Sequence, residues 1–231
     1  MATNARINYD VMEQVAGALG ALLDRVVFVG GAVVSLYVDD PAAMEARPTF
    51  DVDLALSIAT AGELEELRTQ LVQLGFTQNA EDKVACRFRH GGIAVDVMAL
   101  DPIGWAPGDR WYQLGYEHRL SVPLLSGVII HVLSWPYFLA SKFAAHDDRG
   151  ADDPWGSKDL EDIVYVLDNK VDLSTALKGM EGDVGAYLSE HLSWLMDASQ
   201  KEVVLGHLAF TGAEARYSRI RREVQTALVG L

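Results

Sequence analysis

A chain of 231 residues, half of them hydrophobic, is long enough to bury one sizeable core or two smaller ones, which excludes a disordered chain. With 33 acidic against 19 basic residues the formal charge is −14, so any nucleic acid must meet a local basic patch against an unfavourable long-range field, while a cationic partner suits the surface better. Cys86 is the only cysteine, which excludes an intrachain disulfide and a four-cysteine zinc site and fits a reducing cytoplasm.

The stretch MATNARINYDVMEQ lacks the basic-then-apolar order of a signal peptide, and no apolar run approaches the ~20 residues that span a bilayer. The expectation is a cytoplasmic protein with no membrane partner. Asn8 precedes Val11, Val15, Leu19, Leu22 and Leu23, a spacing of three and four that predicts a first helix with an Asn cap. The β-branched run Val26 to Val29 then predicts a strand that stops at Gly30-Gly31, and Ala32 to Val38 predicts a helix leaving the strand end. Residues 39–49 read as a loop. Phe50 to Leu56 alternates as a strand with Asp51 and Asp53 on one face.

Thr60 with Glu63 forms a capping box, and Gly75 ends the helix that it opens. Val84 to His90 and Ile93 to Leu100, joined by Gly91-Gly92, give a hairpin signal, with Asp96 on the face opposite Val95 and Val97. The glycine- and proline-rich run through Trp105, Trp111 and Tyr116 supports no assignment, whereas Arg119 to Leu125 and Val128 to Leu133 predict two more strands. From Ser134 the texture is helical. One helix runs through Lys142 to about His146, a loop covers Arg149 to Ser157, a second helix covers Lys158 to Leu167, and two or three more reach Val229. The fold class expected is α+β, with a mixed-sheet domain over residues 1–133 and a helical domain over residues 134–231.

Three acids stand on strands where the pattern otherwise demands apolar residues, and a carboxylate there loses hydration unless a cation or donors replace the water. Asp51 and Asp53 project side by side, and Asp96 from a nearby strand completes a hard-oxygen set for Mg²⁺ or Mn²⁺. Gly30-Gly31 at a helix start either cradles a phosphate with close backbone amides or is a plain tight turn.

The runs FVGGAVVSLY, RPTFDVDLAL and IAVDVM resemble the DNA polymerase β-like nucleotidyltransferase superfamily. Within it the pattern is most similar to the AbiEii and MenT toxin type, which pairs with an antitoxin in bacteria. The later stretch SWPYFLASKFAAHDDRGADDPWGSKDLEDIVYVLD is similar to that type's second-half motif, so the resemblance covers residues 26–168. It implies a nucleotidyltransferase fold for the first domain. It further implies that Gly30, Gly31 and Thr49 belong to the nucleotide site, that Asp51, Asp53 and Asp96 bind metal, that Lys142 contacts the triphosphate, and that Asp159 positions Lys142 or an acceptor. The interval from Gly31 to Asp51 is longer than in the general superfamily pattern, whereas the lead-in Arg47-Pro48-Thr49 fits the toxin type.

Other residues have plainer readings. Lys142 could snorkel from an apolar helix, and Asp159 could simply meet a helix dipole. Arg87 and Arg89 either reach a triphosphate or, the preferred reading, form a solvated stripe; the six histidines read as scattered, and the Trp105–Tyr116 cluster either stacks a base or, preferred, serves as core or lid. Arg216, Arg219, Arg221 and Arg222 are either an RNA patch or a complement to their helix's C-terminus. The leading expectation is a Mg²⁺-dependent enzyme that moves a nucleotide from an NTP to an RNA acceptor, foremost the end of a tRNA, with an antitoxin partner and no DNA. The alternatives are the same transfer to an aminoglycoside-like small molecule, and a nucleotide-binding regulator without turnover.

Overall fold

The computed structural model describes residues 4–228, so the expectation of helix to Val229 runs past the described residues. They divide into two compact units, one comprising residues up to Val33 with Arg47–Phe138, the other Val34–Ala46 with the chain from Leu139 on.

The first unit is built on a six-stranded mixed sheet. Its strands are β1 (Val26–Val29), β2 (Asp51–Leu56), β3 (Arg87–His90), β4 (Ile93–Ala99), β5 (Leu120–Pro123) and β6 (Ile129–Val132). Their order is β3-β4-β2-β1-β6-β5. β2 runs parallel to β4 and antiparallel to β1, β1 runs parallel to β6, and the two outer pairs are antiparallel hairpins. Central strands carry the core: Val27, Phe28, Val52, Leu54, Val95 and Ile130 are fully or almost fully buried, each side chain contributing about 1.5–3 kcal/mol by leaving water. The helices of this unit are α1 (Asn4–Leu19), α2 (Ala61–Gln73) and α3 (Arg110–Gly115).

The capping box at α2 forms, with Thr60 Oγ1 accepting from Glu63 N and the Glu63 carboxylate reaching back to the Ala59 amide. Some local readings change: the strand expected from Val84 begins at Arg87, and after Asp168 the described residues hold four α-helices where two or three were expected. Ala32 to Val38, expected as an α-helix, is a tighter 3₁₀ segment over Gly31–Tyr37. Asn8 lies inside α1, so it is no cap; its buried amide reaches a distant loop instead.

The second unit is helical, with α4 (Trp135–Arg149) entering it and α5 (Lys158–Asp168), α6 (Leu173–Lys178), α7 (Gly182–Leu195), α8 (Lys201–His207) and α9 (Ala213–Leu228) following. Pro136 falls in the first turn of α4, where its missing amide is harmless. Residues 34–46 pack with this unit because the Asp39 and Asp40 amides donate to Asn169 O and the Tyr165 hydroxyl donates to Met44 O. Among the described residues no helix is long and apolar enough to cross a membrane.

Candidate active site

Strand register decides which acids meet. β2 and β4 pair with Asp53 directly beside Asp96, and Asp51 lies two residues back on the same face of β2. All three are half-buried, while Val52, Val95 and Val97 fill the opposite face. The alternation seen in the sequence therefore produces one acidic face and one apolar face on neighbouring strands.

The glycine turn adjoins that face. Val29 pairs with Asp53, so Gly30 follows β1 next to the Asp53 side chain. Gly30 holds φ +73°, and a Cβ on it would collide with Asp53 Oδ2. Glycine is thus required both by the left-handed backbone and by the carboxylate resting on it. A Cβ on Gly31 would come within 2.6 Å of the Arg47 guanidinium, so the turn lies between an acid and a base.

Arg47 and Thr49 are held from a distance. The buried Asn8 amide donates to Arg47 O at 3.0 Å and accepts from Thr49 N at 2.9 Å, fixing the lead-in to β2. Thr49, also buried, donates its hydroxyl to Asp51 Oδ1. Thr49 therefore reaches the acidic face through Asp51.

Arg87 is the residue that sequence reasoning misjudged. Its register partner across β3 and β4 is Asp96, and its guanidinium grips both carboxylate oxygens at 2.7 and 2.6 Å. Arg89 does the same to Asp82 at 2.9 and 2.6 Å, so the expected solvated stripe is two bidentate ion pairs. A usable signal existed: an Arg and an Asp at facing positions of a two-glycine hairpin are cross-strand neighbours. Cys86 sits beside this pair; burial, then the charges of Asp96 and Asp53, push its thiol up to about 11, so it stays protonated at neutral pH.

Whether the three acids suit a divalent cation depends on type, register and spacing. Three carboxylates on adjacent strands are the right donors for a hard ion, and Asp96 already binds a cationic group. Spacing is another matter. Asp96 is engaged by Arg87 and Asp51 by Thr49, and among the described residues no three acidic, histidine or cysteine side chains are gathered closely enough to enclose a metal. The donor set fits; a rearrangement at Asp96 is needed to close it.

In the second unit Lys142 on α4 and Asp159 on α5 do meet. Lys142 Nζ lies 3.1 Å from Asp159 and 2.6 Å from Asp162, all three side chains almost wholly buried. Burial pushes the ammonium down, but attraction to Asp162 and Asp159 outweighs it and the net shift is upward, so Lys142 stays charged. Arg149 adds a second cation to Asp159, and His146 shares a hydrogen bond with Ser157, which caps α5. Asp162, Arg149, His146 and Ser157 went unrecognised in the sequence because α4 and α5 come together only in the fold.

The remaining candidates resolve as packing. Trp111 is buried, and Trp105 packs at a tilt against Phe88 beneath the Arg68 guanidinium. Arg216 and Arg219 lie in the first half of α9, away from its C-terminus, and both hold Asp168 at the end of α5. That leaves Arg221 and Arg222 of the proposed basic patch.

Against known proteins, the family model described as nucleotidyl transferase AbiEii toxin, type IV TA system, matches residues 15–225. No curated protein matches the chain. Among solved structures, the antibiotic-resistance factor ANT(2'')-Ia is similar with a TM-score of 0.47 and 14% identity, over 81% of this chain and 94% of that one.

Proposed function

Because the chain belongs to the AbiEii family of nucleotidyl transferase toxins, we propose that it moves a nucleotide from an NTP to an RNA acceptor in a Mg²⁺-dependent reaction. In this reading it is the toxin partner of an antitoxin, in the cytoplasm. The observation that carries the proposal is the in-register pair Asp53 and Asp96, with Asp51 on the same face and Gly30 beside Asp53.

Asp51, Asp53 and Asp96 would hold the divalent ion, which supplies charge to the triphosphate and to the attacking oxygen. The chain's own residues do the rest. Gly30 lets the Asp53 carboxylate rest against the turn, and Gly31 lets the Arg47 guanidinium do the same, which brings a cation for phosphate beside the metal-binding acid. Thr49 orients Asp51, and Asn8 holds Thr49. Lys142 and Asp159, which the resemblance implied for the triphosphate, are closed into one ion cluster with Asp162 and in this reading make no contact with the nucleotide. In the transfer, an acceptor hydroxyl oxygen bonds to the α-phosphorus, the bond to the bridging oxygen breaks, and pyrophosphate leaves as the hydroxyl loses its proton.

The net charge bears on the acceptor. At −14 the chain disfavours a long phosphate footprint, so an RNA acceptor would be gripped at its end only, and the same charge is what favours the cationic small-molecule alternative. The test is incubation with each labelled NTP, Mg²⁺ and total tRNA, with an aminoglycoside panel alongside. Label should enter RNA and fall roughly a thousandfold or more in Asp53→Asn. Label on the drug instead would move the assignment to a small-molecule transferase. Nucleotide binding with no label transferred anywhere would make the chain a regulator.

A further inference from the structure

On the acidic face three carboxylates stand on neighbouring strands, and one of them, Asp96, is bound by the Arg87 guanidinium. Such a face is costly unless cations neutralise it. Arg87 is built into it rather than borrowed from solvent. Its backbone is pinned at the start of β3, where Arg87 N donates to Val84 O and the adjacent Cys86 O accepts from Val97 N. Its side chain remains about one quarter exposed, whereas that of Asp96 is only 15% exposed. The strand order β3-β4-β2 brings the guanidinium to Asp96 from the side away from Asp53. Two of its N–H groups are committed to Asp96, in the bidentate geometry that binds a carboxylate most strongly.

We propose that Arg87 is a resident counter-cation that competes with the divalent metal for Asp96 and, once released, is available to the anionic triphosphate. The inference rests on the metal reading of Asp51, Asp53 and Asp96 and deepens it by assigning how loading is regulated. Before nucleotide arrives, Arg87 neutralises Asp96 and keeps the three carboxylates from closing on an ion. A metal–NTP complex offers both halves of the exchange: a divalent cation for Asp96 and phosphate oxygens for the freed guanidinium. Metal and nucleotide therefore load together, and the metal alone binds weakly. No covalent step is involved.

The experiment is Mn²⁺ binding to the full chain, read by the loss of the free-ion paramagnetic resonance signal, with and without an α,β-methylene NTP analogue that cannot be transferred. Wild type should bind Mn²⁺ weakly alone and more tightly with the analogue. Arg87→Gln should bind Mn²⁺ alone roughly tenfold more tightly and gain less from the analogue. Arg87→Lys, which keeps the charge but cannot grip both oxygens, should fall between them and guards against a folding failure in the first variant. Equal or weaker Mn²⁺ binding in both Arg87 variants, with binding still lost in Asp53→Asn, overturns the competition and leaves the metal reading intact. Binding that is absent throughout, or unchanged in Asp53→Asn and Asp96→Asn, overturns the metal reading and the competition with it.

Discussion

Two charged clusters in this protein use the same side-chain types in different surroundings. On the sheet, Asp51, Asp53, Asp96 and Arg87 are half-buried, with the Arg47 guanidinium at the adjoining glycine turn. Between α4 and α5, Lys142, Asp159 and Asp162 are almost wholly buried, and the exposed Arg149 reaches Asp159 from outside. Burial sets what each can do. A buried ion cluster has no ligand-binding capacity to spare without breaking its own pairs, and removing one member exposes the fold to an uncompensated charge. A half-exposed face is held less tightly and can exchange its cation. The contrast teaches that an acidic motif signals ligand binding when it is left accessible, and architecture when it is paired in the interior.

Substitutions sharpen that contrast. Lys142→Ala should have the largest effect on stability, about 3–5 kcal/mol, because it removes a buried ammonium from two buried carboxylates; a urea melt that moved by less than 1 kcal/mol would break the contrast between the clusters. Gly30→Ala should cost about 1–3 kcal/mol from its left-handed backbone, yet reduce nucleotide transfer by far more than the melt explains, since the new Cβ displaces the Asp53 carboxylate. Parallel losses in both assays would reduce Gly30 to a turn residue.

The smallest effect concerns pH. Burial lowers the His146 pKa below its ordinary 6.5, so the unfolded chain takes up the proton first and the fold favours the neutral ring. Stability should therefore fall as pH drops below 6.5 towards the folded value, and His146 should contribute no pH dependence above it. His146→Gln should flatten that part of the thermal-unfolding profile relative to wild type. An unchanged slope would show that the acid sensitivity arises elsewhere.

Legibility in the sequence followed the range of each interaction. The strand at Val26–Val29 and the α2 capping box were readable because they involve neighbours in the chain, and so was the hairpin that carries Asp96. Helix α3 was missed inside a glycine- and proline-rich run, although Asp109, whose carboxylate accepts from the Trp111 and Tyr112 amides, is a usable cap signal. Asn8 was misread as a cap because its partners, Arg47 and Thr49, lie about 40 residues away. Arg87 and Arg89 were read by alternation alone, and alternation fixes a face but not an ion-pair partner.

By itself, the sequence determined the α+β class, the acidic side of β2 and β4, and the family resemblance, because period-two alternation and glycine punctuation act over a few residues. Tertiary structure alone decided that Asp53 stands in register with Asp96, that Arg87 holds Asp96, and that Lys142 is closed in by two aspartates. The reason is physical: register and ion pairing depend on which segments the core brings side by side, and burial sets the strength of a charge only after that core has formed.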